Sequence, residues 1–200
     1  MARPKKALMR EFARTSLEQR GFKVGPRTGQ GLLPGARLVA DKDKRSFEVG
    51  VRTSYERSVS FSRHMDGRWR TLDSVDLVVV VVPQENNSNI VEALVFDSTK
   101  LKKLFDKALQ ELALAGRSLS FEMPIFIPLD TASRKNVGHS VAGIKNAALW
   151  SRTSEEGELL KTQSAAQASS ETFIDRVKRE FAEKNEVDVS KVQVEFRIIA

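Results

Sequence analysis

The chain has 200 residues, of which 40% are hydrophobic and 30% charged, so it can bury one domain-sized core and is not globally disordered. It has no Cys and only two His, His64 and His139, which excludes disulfide scaffolds, thiolate metal sites, cysteine nucleophiles and His-rich zinc sites. The net charge of +7 is uneven: residues 1–70 hold 17 Lys/Arg against seven Asp/Glu, so the first third of the chain carries the positive excess and points to a polyanion.

A charged N-terminus makes a secretory signal unexpected. The longest apolar run, Leu77 to Val82, is far short of the roughly 20 residues of a membrane span. No membrane association is expected, and the absence of Cys fits a reducing cytoplasm.

In chain order, Leu8, Met9, Phe12, Ala13 and Leu17 recur at helical spacing and predict a helix from Lys5 to Arg20, ended by Gly21. Lys6, Arg10 and Arg14 fall four apart and make a basic stripe on another face of it. The segment Lys23–Gly35, with four Gly and two Pro, reads as a loop. Its spaced glycines lack the Lys-Ser/Thr ending of a phosphate loop. Strands Ala36–Ala40 and Ser46–Thr53 flank a hairpin turn at Asp41-Lys42-Asp43-Lys44, and Ser58–Arg63 alternates as a third strand.

The run Val75–Val82 is almost wholly β-branched and reads as a central strand covered on both faces, with Ile90–Phe96 as its neighbour. Asp97-Ser98-Thr99 can cap a helix from about Lys100 to Ala115. Ile125–Leu129 reads as another apolar strand and Ser140–Trp150 as a short helix. Ser140 beside His139 has no nucleophile-elbow pattern, so a serine hydrolase is not indicated.

These elements predict a mixed α/β sheet with flanking helices over residues 1–150. Residues 151–170, rich in Ser, Ala, Gln and Glu, read as a linker. Residues 171–200 read as a helix–strand tail, with Val192, Val194, Phe196 and Ile198 alternating. That tail can pair with the main sheet's edge or with a partner chain, which leaves a homo-oligomer open.

The most informative segment is Phe47-Glu48-Val49-Gly50-Val51-Arg52-Thr53-Ser54. Strand periodicity puts Glu48, Gly50 and Arg52 on one face, opposite Phe47, Val49 and Val51, and so offers charge to a cleft. With the preceding helix and hairpin, residues 5–115 resemble the core of the PD-(D/E)XK, or restriction-endonuclease-like, nuclease superfamily. The resemblance implies an active site in which an Asp and a Glu hold one or two divalent metals and a Lys orients the attacking water. Glu48 stands at the Glu position, but the Lys position is Gly50. The Asp position, within Gly35-Ala36-Arg37-Leu38, has no carboxylate, and Asp41 lies off register.

The resemblance therefore implies a nuclease-like scaffold with a degenerate motif. Glu48 is catalytic, and Mg²⁺ a cofactor, only if activity persists; no other cofactor or metal site is expected. A plain surface ion pair between Glu48 and Arg52, worth under about 1 kcal/mol, is the bland alternative. Arg52, Arg57, Arg63, Arg68 and Arg70 are interleaved with Tyr55, Phe61 and Trp69. With Lys6, Arg10 and Arg14 they are the candidate contacts to nucleic acid, DNA in the first instance. Tyr55 or Trp69 can stack on an unpaired base if exposed, although Trp69 also fits a core anchor. The competing functions are a protein-interaction or assembly factor reusing the fold, and a metal-dependent nuclease with relocated ligands.

Overall fold

The computed structural model describes residues 3–27, 33–117, 120–131, 141–155 and 157–159, together with Lys178, Phe181 and Ala182. The chain divides into two compact units, Met1–Leu159 and Leu160–Ala200. The helix–strand tail read at 171–200 lies outside the described residues, apart from the three just named.

The first unit is a mixed α/β fold. Its helices are α1 (Lys6–Gln19) and α2 (Ser98–Leu114). Its strands are β1 (Lys23–Pro26), β2 (Arg37–Lys42), β3 (Arg45–Thr53), β4 (Ser58–Phe61), β5 (Leu77–Pro83), β6 (Val91–Asp97), β7 (Ile125–Pro128) and β8 (Trp150–Thr153). Six of them form one sheet in the order β1-β2-β3-β5-β6-β8, while β4 and β7 pair separately. Within the large sheet only β3 and β5 run parallel. No helix among the described residues is long and apolar enough to cross a membrane.

Each well-defined element follows from a local cause. The β2–β3 hairpin closes through Asp43 and Lys44, both at positive φ (51° and 63°), the geometry of a two-residue turn whose twist matches the strands. Asp97 caps α2, its side chain accepting from the Lys100 N–H at 2.8 Å. Strand β5 is buried along its whole length because both faces are covered. Leu77, Val79 and Val81 pack with α1 residues Met9, Phe12 and Leu17. Val78, Val80 and Val82 pack with α2 residues Leu101, Phe105 and Ala108 and with Val59, Phe61 and Ile127 of the small sheet. The fold is thus three-layered, with α1 on one side of the large sheet and α2 plus β4–β7 on the other.

The structure departs from the sequence reading at three strands. Lys23–Pro26, read as loop, is strand β1, tolerated with Gly25 and Pro26 because an edge strand pairs on one side only. Strand β4 leaves the main sheet for β7, placing the β3–β5 crossover over one sheet face. Residues 151–153, placed at the start of the linker, belong to β8, which pairs antiparallel with β6 at the opposite edge. The short helix expected over Ser140–Trp150 is a 3-10 turn, Ile144–Ala147.

Candidate functional site

The face of β3 bearing Glu48, Gly50 and Arg52 is not an open cleft. The crossover returns over it as a 3-10 turn, Leu72–Ser74, anchored by Leu72 and Val75 in the α2-side core. A Cβ built on Gly50 would stand 3.1 Å from Thr71 Cγ2 and 3.5 Å from Val75 Cγ1, so the position where the nuclease pattern carries Lys is roofed. Two arginines hold this roof. Arg37, opposite Gly50 in register, donates to the Ser74 carbonyl at 3.1 Å and to Ser74 Oγ at 2.7 Å. Arg52 donates from Nη2 to Thr71 Oγ1.

Glu48 and Arg52 do not pair with each other. The Glu48 carboxylate lies 3.5 Å from Arg27, just beyond β1, while its backbone N–H donates to the Asp76 carboxylate at 2.8 Å. Arg52 has no carboxylate partner within 4 Å among the described residues, and its Nε is buried without a hydrogen bond. Its guanidinium sits over the Phe61 ring at 5.2 Å. Burial lowers its pKa and the like charge of Arg37 lowers it further, yet a guanidinium keeps its proton at neutral pH. Arg52 is therefore a half-buried cation with no carboxylate within 4 Å among the described residues. Among the described residues no three His, Asp or Glu side chains converge as a metal-binding group.

Placing a Lys two residues after Glu48, by Gly50→Lys, is expected to force Thr71 and Val75 aside. The expected results are a stability loss of about 1–3 kcal/mol by urea denaturation and no gain of Mg²⁺-dependent DNA cleavage. Wild-type stability in this variant would show that the roof moves freely.

The other basic residues named from sequence are dispersed. Arg57, expected to contact phosphate, is bonded internally. It donates to Asp130 at 2.6 Å, to the Pro83 carbonyl at 2.8 Å and to Glu92 at 3.3 Å, and its bond to Asp130 is the main cause of its raised pKa. Arg14 is paired within α1 to Glu11 and Glu18, and Arg10 packs its stem on Gly35. Arg68 is paired with Asp66 at 2.7 Å and Arg70 with Glu122 at 3.0 Å, while Arg63 lies over Phe121 at 4.9 Å. Trp69 is buried and donates its indole N–H to Asp106 at 2.8 Å, so it cannot stack on a base. Tyr55 is half-buried, with Arg3 and Lys6 over its ring at 5.3 and 5.5 Å and its hydroxyl donating to the Pro4 carbonyl at 2.9 Å.

What the fold does assemble is a pocket of about 270 Å³ at the carboxyl end of β3. Arg3 and Lys6 approach from the start of α1, Arg52 from β3, and Ser58, Ser60 and Phe126 from the outer face of the small sheet. Phe126 is 47% exposed. Glu56, the one carboxylate among the lining residues, leaves three cations against one acid. Arg3 and Phe126 were not singled out from sequence: Arg3 stands outside the Lys6, Arg10, Arg14 stripe, and Phe126 sits in an apolar run that reads as wholly interior. The alternation of β7, with Ile125 and Ile127 inward, was the available signal for Phe126. Comparison with family models, with curated proteins and with solved structures finds no match for this chain.

Proposed function

We propose that this protein binds nucleic acid through the cationic pocket around Arg52, on a PD-(D/E)XK-like scaffold without an intact nuclease site. The observation that carries this reading is Arg52 itself. A cation withdrawn from water with no carboxylate within 4 Å among the described residues is costly to keep, and an incoming phosphate supplies a counter-charge. Arg3 and Lys6 line the same pocket, and the first 70 residues hold the positive excess of the whole chain. The crowding of Gly50 and the engagement of Glu48 with Arg27 argue against the nuclease reading, whose ligands would have to lie elsewhere.

The test is a titration of labelled nucleic acid at several salt concentrations. Three phosphate-neutralising side chains predict a log–log slope of about −2 to −3, since each contributes about −0.7 on a single strand or −0.9 on B-DNA. Arg52→Ala is expected to weaken binding evenly across unrelated sequences and to reduce the slope by about 1, because phosphate contacts position without reading bases. Binding weaker than about 10⁻⁴ M at low salt, poorer than ordinary non-specific association, overturns the proposal.

The assembly-factor reading has one observation of its own. Phe121 and Met123 are exposed beside the Arg63–Arg70 hairpin, a surface on which a protein partner can bury apolar area. A stable oligomer or protein complex lost on Phe121→Ser, together with indifference to nucleic acid, would select it.

A further inference from the structure

Resting on the nucleic-acid reading, we infer that Arg10 seats a second phosphate of the bound strand, in a separate cavity one turn along α1 from Lys6. The first argument is that Arg10 shares the condition of Arg52. Among the described residues, two buried side-chain nitrogen or oxygen atoms lack a hydrogen bond, and they are the Nε atoms of Arg10 and Arg52. No hydrogen bond or ion pair with a described residue engages the terminal nitrogens of Arg10 either. Glu11, the acid nearest to it along α1, is held by Arg14, which also pairs with Glu18. With Nε enclosed, a phosphate meets this guanidinium at its two terminal nitrogens, as a charge-assisted acceptor that the chain does not supply.

The second argument is the cavity that Arg10 lines. It has a volume of about 200 Å³ and lies between α1, at Ala7, Arg10, Glu11 and Arg14, and the turn Pro34-Gly35 ahead of β2. Gly35 sits at a φ of +70°, and a Cβ built on it would stand 3.2 Å from the Arg10 Cβ and 3.7 Å from its Nε. A glycine is what lets the arginine stem lie along this turn. The space is below the usual size of a small-molecule pocket and has room for a phosphate group.

The third argument is spacing. Lys6 lines the first pocket and Arg10 the second, on neighbouring positions of one face of α1. Four helical residues rise about 6 Å. One nucleic-acid strand advances about 3.4 Å per phosphate along its axis, so the two seats stand about two phosphates apart. A free anion fills one seat, whereas a strand running along α1 fills both and gains from their linkage.

The experiment uses the full chain and a labelled oligothymidylate, titrated by fluorescence anisotropy at several salt concentrations. Three variants each remove one unit of positive charge: Arg10→Ala, Ala7→Glu and Lys103→Ala. Ala7 is exposed, and a carboxylate there competes with phosphate for Arg10. It also places an acid in the first turn of α1, which has none, and so supports the helix. Lys103 is exposed on α2, outside both cavities, and controls for net charge. Arg10→Ala and Ala7→Glu are each expected to lower the log–log slope by about 0.7, the contribution of one phosphate on a single strand. Arg10→Ala combined with Arg52→Ala should lower it by about 1.4, while Arg10→Lys and Lys103→Ala keep the wild-type slope. If Arg10→Ala does not fold, Ala7→Glu decides.

Wild-type slopes in Arg10→Ala and Ala7→Glu, with Arg52→Ala still lowering the slope, overturn the inference and leave the first pocket intact. An equal fall in Lys103→Ala marks a net-charge effect and also overturns it. Displacement of the strand by inorganic phosphate, beyond that by chloride at equal ionic strength, assigns the seat to a free anion and overturns it too. Unchanged slopes in every variant, Arg52→Ala included, remove the nucleic-acid reading on which it rests.

Discussion

Replacing Arg57 with Ala is expected to destabilise the first unit by about 3–5 kcal/mol, the usual cost of removing one partner from a buried ion pair. Arg57 joins Asp130, just past the end of β7, to Glu92 on β6, and Lys145 closes the network on Glu92 at 2.7 Å. Glu92 is only 5% exposed, so its carboxylate depends on these two cations in place of water. Arg57 also sits at a φ of +48°, a conformation that costs a non-glycine residue about 1–2 kcal/mol. Arg57→Gly relieves that strain while losing the same bonds, and should be about 1 kcal/mol more stable than Arg57→Ala. Denaturant midpoints of the two variants test both statements. A loss below about 1 kcal/mol in Arg57→Ala would show that the network contributes little. At matched folded fraction, Arg57→Ala should keep the wild-type salt slope for nucleic acid, in contrast to Arg52→Ala.

Phe105→Ala is expected to cost about 3–5 kcal/mol. Phe105 is fully buried on α2, edge-on to Phe61 of β4 at 5.0 Å and to Trp69 of the crossover at 5.4 Å. One ring thus ties the helix to the small sheet and to the segment that roofs Gly50. Removing it opens a cavity that neighbours on three different elements cannot fill by moving together. Phe105→Leu keeps most of the volume and should lose less, under about 2 kcal/mol. Urea unfolding with a constant m-value is the measurement. A loss no greater than that of an exposed control such as Leu114→Ala would mean this side of the sheet is not close-packed.

The elements legible in the sequence are those whose signal is local. Helix α1 follows from apolar residues at helical spacing and ends at Gly21, which sits at a φ of +83°. Strand β5 announces burial on both faces through an unbroken β-branched run, and Asp97 marks the start of α2 within two residues. The turn at Asp43-Lys44 is equally local. In each case the residues that determine the conformation are neighbours along the chain.

The candidate site was legible only in part. Periodicity correctly put Glu48, Gly50 and Arg52 on one face of β3, but a strand's own pattern does not say what lies over that face. The roof comes from Thr71 and Val75, more than 20 residues on, and it decides that Gly50 is crowded and that Arg52 donates to Thr71, while Glu48 meets Arg27 through the β1-β2-β3 strand order. Composition likewise marked Arg57 as one of five arginines, while its partner Asp130 lies 73 positions away on the other side of a strand pair. Alternation makes Ser58–Phe61 a strand without saying whether it pairs with the main sheet or with β7. Spacing along one strand or helix determined which residues share a face. Only the tertiary structure decided which faces meet, because hydrogen-bond and ion-pair partners are chosen by the closure of long loops, and nothing in a residue's immediate neighbours records that choice.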